Sequence, residues 1–183
     1  MGIAAEPDNV KLFVAVTFAS ENAAGAAVHR LTELYGPVEL SYGPVPFNFT
    51  EYYAEEMGQG LQKTYMAFER PILRGVLAEV KTFTNKMELE LGTPGKRMVN
   101  IDPGYLATDK FVLSSTKDFY HRIYLSEGIY AEVTLHYRKG MYRFFSWTFP
   151  DYREPAFLEF LEKVRARYVK TVRDGRASGA RPD

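Results

Sequence analysis

Val10–Phe18 (VKLFVAVTF) is a nearly continuous run of apolar and β-branched residues, a pattern that predicts a strand covered on both faces. Behind it Ala24, Val28, Leu31 and Tyr35 recur at helical spacing. Ser20 is placed to cap that helix, and Gly36 and Pro37 stop it. Residues 37–60 mix glycine and proline with Phe47, Phe49, Tyr52 and Tyr53, which predicts one short strand and then an ordered aromatic loop over residues 45–53. Loops of this length are often functional. Residues 61–68 read as a strand, although their alternation is poor. From Leu73 onward Val76, Leu77, Val80, Phe83, Met87 and Leu91 form a helical stripe that ends at Gly92.

Residues 96–147 predict a run of antiparallel strands broken at Pro103-Gly104, Glu127-Gly128 and Lys139-Gly140. The clearest alternation lies in Ile129–Arg138. There Ile129, Ala131, Val133, Leu135 and Tyr137 form a core face, and Tyr130, Glu132, Thr134, His136 and Arg138 form a polar one. Asp151 reads as a helix cap and Pro155 as a first-turn residue. Phe157, Leu161, Val164 and Tyr168 then line a closing helix. Past Arg173 apolar side chains run out, and residues 174–183 are expected to be a disordered tail. The expected fold is α+β: a mixed, largely antiparallel sheet with about three main helices packed against it, in one domain spanning residues 1–173.

Composition narrows the field of functions. At 183 residues the chain can bury one core, and 46% hydrophobic against 25% charged residues is the balance of a globular protein. With 23 basic and 23 acidic side chains there is no global field to draw the protein to nucleic acid or an anionic membrane, so such binding needs a local patch. The basic end of the last helix, diluted by Glu159 and Glu162, is a weak candidate for RNA. The absence of cysteine removes disulfides, thiolate zinc sites and a cysteine nucleophile, and a reducing cytoplasm is the expected location. Neither a signal peptide nor a membrane span is expected. Aromatic residues, at 15%, are the one excess, and both core packing and stacking surfaces use them.

Candidate chemistry concentrates in residues 100–122. Asn100 and Asp102 stand before Pro103-Gly104 and Tyr105, where a turn would aim Asp102 outward as an acid or a ligand contact; the alternative is that Asp102 serves its own turn. Ser114, Ser115, Thr116, Lys117, His121 and Arg122 supply hydroxyls, cations and an imidazole, an inventory that suits phosphate or carboxylate better than metal. Parity with Ile123 and Leu125 turns His121 toward the core, leaving Lys117 and Arg122 as the ligand contacts. The polar ladder of Ile129–Arg138 is either a solvated face or the lining of a wide cleft. Glu132 and His136 sit about 13–14 Å apart along a flat strand, too far to share a metal. Glu132 thus joins Asp102 as an acid–base candidate, with Tyr105 and Tyr130 as orienting residues.

Familiar catalytic signatures are missing: there is no phosphate loop, dinucleotide fingerprint, HExxH or GxSxG. Asn85-Lys86-Met87-Glu88 matches the loose form of the guanine-reading motif of small GTPases, but it falls inside an amphipathic helix and no phosphate loop precedes it. Conventional GTPase chemistry is therefore not expected. Nearly the whole chain, through VKLFVAV, PVPFNFTEYY, EMGQGL, VNIDPGYL, STKDFYHRIYL, GIYAEVTL and WTFPDY, resembles a prokaryotic family described as domain of unknown function 4416. Its members sometimes carry the label GTP-binding protein. The resemblance implies a shared domain and transfers no catalytic role. The expectation from sequence is a protein that binds a phosphate-bearing small molecule, nucleotide or RNA end at one edge of the sheet, with no metal and an unknown cofactor. The alternative is an interaction or homo-oligomeric module built on loop 45–53.

Overall fold

All nine residues of Val10–Phe18 are buried, as a strand covered on both faces requires, and even Lys11 reaches out only to Glu39 (3.0 Å) and the Glu69 carbonyl (3.1 Å). The computed structural model describes residues 2–50 and 52–177. This strand, β1, stands inside one sheet with β2 (Val38–Pro46), β3 (Gln62–Ile72), β4 (Val99–Leu106), β5 (Lys110–Ser115), β6 (Ile123–Ser126), β7 (Ile129–Arg138) and β8 (Met141–Phe144). The order is β2-β3-β1-β4-β5-β7-β6, with β8 also paired to β7, and every pairing is antiparallel. The expected α+β fold is thus present.

Alternation along β1 divides the core into two layers. Leu12, Val14 and Val16 pack on α1 (Glu21–Tyr35) and α3 (Leu77–Leu91). Phe13 and Ala15 pack on α4 (Pro155–Ala177) through Phe157, Leu161 and Val164. Ser20 makes no side-chain cap, but Gly36, at φ 86°, ends α1 as expected. The stripe read as starting at Leu73 is first wound as a 3-10 turn, Arg74–Val76. The aromatic loop leads into the short α2 (Ala54–Met57). At the far end α4 continues to Ala177, and residues 178–183 of the expected tail lie outside the described residues.

Two departures from the expected strands shape the site. First, β4 runs through Pro103-Gly104 without breaking. It pairs with β1 along its whole length, from Lys11 opposite Leu106 to Phe18 opposite Val99. On its other side it pairs with β5 only from Gly104 to Leu106, so the missing Pro103 N–H interrupts no ladder bond. Instead the Pro103 carbonyl accepts the Ser114 hydroxyl at 2.7 Å. Second, the β5–β7 register slips, so that Phe111 faces Leu135 while Val112 faces Val133. The extra residue, Thr134, is a bulge that reverses parity along β7. Glu132 and Thr134, expected on an outward polar face, are consequently 3% and 0% exposed.

Candidate functional site

The site begins where β4 and β5 part. Beyond Gly104 the edge of β4 has lost its neighbour, and buried backbone groups require partners. Two side chains from α3 supply them: the Ile101 N–H donates to Glu88 Oε1 at 2.7 Å, and the Ile101 carbonyl accepts from Lys81 Nζ at 2.7 Å. Burial raises the Glu88 carboxyl above its ordinary range, against the pull of Lys81, the Ile101 N–H and Arg97. Arg97 joins Glu88 (3.2 Å), Asn100 Oδ1 (3.1 Å) and Glu56 (2.6 Å). Asn100 in turn donates to Asp102 Oδ2 at 2.8 Å, and Lys81 stands 3.5 Å from Asp102 Oδ1.

The opposite bank is built on Glu132. Its Oε2 accepts Arg122 Nε at 2.8 Å and lies 3.2 Å from His121 Nε2, while Oε1 accepts the Thr134 hydroxyl at 3.2 Å. Arg122 also donates to Ser115 Oγ (2.8 Å) and to the Lys117 carbonyl (3.0 Å), so its guanidinium fixes the loop that carries Lys117. His121 does not follow the strand parity expected of it. It sits in a turn before β6, a strand whose four residues are all exposed, and it stacks between Phe119 (5.9 Å) and Trp147 (5.2 Å). Lys117 holds its ammonium 4.2 Å over the Tyr52 ring and forms no ion pair among the described residues.

Lys63 and Asp151 close the interior. Asp151 belongs to a 3-10 turn, Pro150–Arg153, and is not the cap of α4. Its Oδ2 accepts Lys63 Nζ at 2.7 Å and the Tyr65 hydroxyl at 3.0 Å. The Lys63 ammonium lies over the rings of Phe47 (4.9 Å), Tyr152 (4.7 Å) and Tyr65 (5.3 Å), a cation–π arrangement that compensates for its burial. Burial first, and the Asp151 charge second, push the phenols of Tyr65 and Tyr152 well above their ordinary range. The Tyr152 hydroxyl is buried with no hydrogen-bond partner among the described residues.

These groups surround one cavity of about 370 Å³. Asn100, Asp102, Lys117, Arg122 and Glu132 all line it, so the structure brings together five of the seven candidates read from the sequence. The other two stand elsewhere. Tyr105 pairs opposite Leu12 and so faces the α1–α3 layer, whereas Tyr130 packs on Tyr124 (5.4 Å) at the sheet edge. Loop 45–53, which the alternative reading assigned to an interface, supplies the aromatic wall through Phe47, Phe49, Tyr52 and Tyr53. Sequence reading missed Lys63, Lys81, Asp151 and Tyr152. A signal existed for the two lysines: Lys63 is in phase with buried Tyr65 and Ala67, and Lys81 falls on the buried stripe between Leu77 and Thr84. A charge on a core face marks a paired or functional group.

Among the described residues no helix is long and apolar enough to cross a membrane, and no group of three or more histidine, aspartate or glutamate side chains is placed to hold a metal ion. A family model described as domain of unknown function (DUF4416) matches residues 8–168. No curated protein and no solved structure matches the chain.

Proposed function

We propose that this chain, which belongs to the DUF4416 family, binds a small phosphate-bearing ligand, a nucleotide or a nucleic-acid end, in the cavity between β4 and β5. One observation carries the reading: an exposed lysine without an ion pair among the described residues, Lys117, stands with the hydroxyls of Ser115 and Thr116 on the rim of a cavity walled by aromatic rings. The volume is that of ordinary small-molecule sites, and stacking rings beside a cation suit a nucleotide. Arg122 serves this site by holding the loop of Lys117. Asp102, whose side chain is 29% exposed, is the carboxylate open to exchange a proton with a ligand, since Glu132 is enclosed by Arg122, His121 and Thr134. A reducing cytoplasm suits a ligand of this class and a chain without cysteine.

Thermal unfolding against a panel of nucleotides and phosphorylated metabolites tests the reading. A ligand at a hundred times its Kd adds about 2.7 kcal/mol, which for a chain of this size raises Tm by roughly 5–10 °C. No shift from any phosphorylated compound at millimolar concentration would sink it. A second reading, self-association, is favoured by the exposure of Tyr120, Ile123 and Tyr124 on and beside the edge strand β6, and mass in solution decides it.

A further inference from the structure

Charge pairing inside the cavity is uneven. Lys63 faces Asp151 at 2.7 Å, Lys81 faces Asp102 at 3.5 Å, and Arg122 faces Glu132 at 2.8 Å, so each interior cation is matched by a carboxylate. Lys117, at the exposed mouth, has no such match among the described residues. An anionic group entering the interior would meet three carboxylates, with each cation already engaged. At the mouth it meets an open ammonium.

The interior nevertheless asks for a polar ligand group. Tyr152 lines the cavity, and its buried hydroxyl has no hydrogen-bond partner among the described residues. An orphaned buried hydroxyl is costly, and on a residue that lines a cavity a ligand can supply the missing partner. The Lys63 ammonium, 4.7 Å from the centre of the Tyr152 ring, spends only one of its three N–H donors on a hydrogen bond among the described residues, and Asp151 receives both of its bonds there on Oδ2, leaving Oδ1. A donor pair next to an acceptor fits the edge of a heterocycle that sets a lone-pair atom beside an N–H. A fully ionised phosphate has no hydrogen to donate, so it cannot satisfy Asp151. Phe47, Phe49, Tyr53 and Phe149 also line the cavity, and aromatic side chains of this kind can stack a planar heterocycle.

From this we infer that the cavity takes a nucleoside unit base-inward: a nucleobase edge is read by Tyr152, Lys63 and Asp151, and the phosphate stays at the mouth on Lys117. The inference rests on the reading above and adds an orientation and a base-reading subsite to it.

Titration calorimetry on the full chain with the four common ribonucleosides, their 5′-monophosphates and ribose 5-phosphate separates the possibilities. At least one nucleoside binds, its monophosphate binds roughly tenfold more tightly, and ribose 5-phosphate binds more weakly than either. Tyr152→Phe weakens that nucleoside about five- to tenfold, the loss of one hydrogen bond, without lowering Tm. In Lys117→Ala the nucleotide falls to the affinity of its nucleoside. Binding of ribose 5-phosphate as tight as the nucleotide, with nucleosides silent, overturns the orientation while leaving the phosphate site intact. An unchanged Kd in Tyr152→Phe overturns the base-reading role. Nucleoside binding with no gain from phosphate removes the phosphate reading alone, and silence from every compound removes both.

Discussion

Lys63 shows how a single residue joins stability to the site. Its side chain is 4% exposed, its ammonium held by Asp151 and three aromatic rings, so removing it strands a buried carboxylate. Lys63→Met is expected to cost about 3–5 kcal/mol in urea unfolding, and the double change with Asp151→Leu to cost less than that single change, because a buried pair is weaker than the penalty of breaking it. A single substitution costing under about 1 kcal/mol would mean that Asp151 is solvated or repartnered. At this scale the sequence was legible in its near-neighbour chemistry. Asn100, Asp102, Lys117 and Arg122 fall within one stretch, and Glu132 follows on the next hairpin. Lys63 and Asp151 are 88 residues apart and meet only because β3 and the Pro150–Arg153 turn close on one another, a pairing that no local pattern encodes.

At the scale of elements, the parting of β4 from β5 makes the cavity, and Gly104 stands at the point of divergence. A Cβ there would collide with the Val112 carbonyl and crowd the Leu113 side chain. Gly104→Ala is therefore expected to lose about 1–3 kcal/mol, while Gly75→Ala, where a Cβ meets open space, stays within about 0.5 kcal/mol. Equal losses in denaturant unfolding would show that the close approach is not the cause. Periodicity read β1 and α3 well because burial on fixed faces dictates both patterns. It misread β4, since proline breaks a strand only where its N–H would have been used. It misread the outer face of β7, since one bulged residue at Thr134 turns Glu132 inward.

For the whole molecule, the tyrosines couple folding to alkaline pH. Burial raises the phenols of Tyr35, Tyr53, Tyr65, Tyr105, Tyr142 and Tyr152, which are spread over both core layers and the cavity wall; Tyr35 moves from the ordinary 10.0 to about 12. The folded chain keeps protons that the unfolded chain releases near pH 10, so stability is full below that pH and declines as pH rises toward 12 and beyond. Urea midpoints measured from neutral pH to about pH 11 are expected to fall only above about pH 10, together with the appearance of tyrosinate absorbance. A midpoint that held constant while tyrosinate appeared would place these phenols in water. The α+β architecture was legible at this scale from the order of strands and helices, whereas the cavity was not, because its walls come from segments spread from residue 47 to residue 152.

The chain also carries its own optical probe. Trp147 is the sole tryptophan, stacked 4.6 Å from Phe145 and 5.2 Å from His121, whose other edge touches Glu132 in the cavity wall. Indole emission is sensitive to the groups stacked on the ring, so the brightness of this one fluorophore follows the placement of His121. Light emitted by the unlabelled protein thus comes from a ring two contacts away from the cavity, with no second tryptophan to dilute the signal.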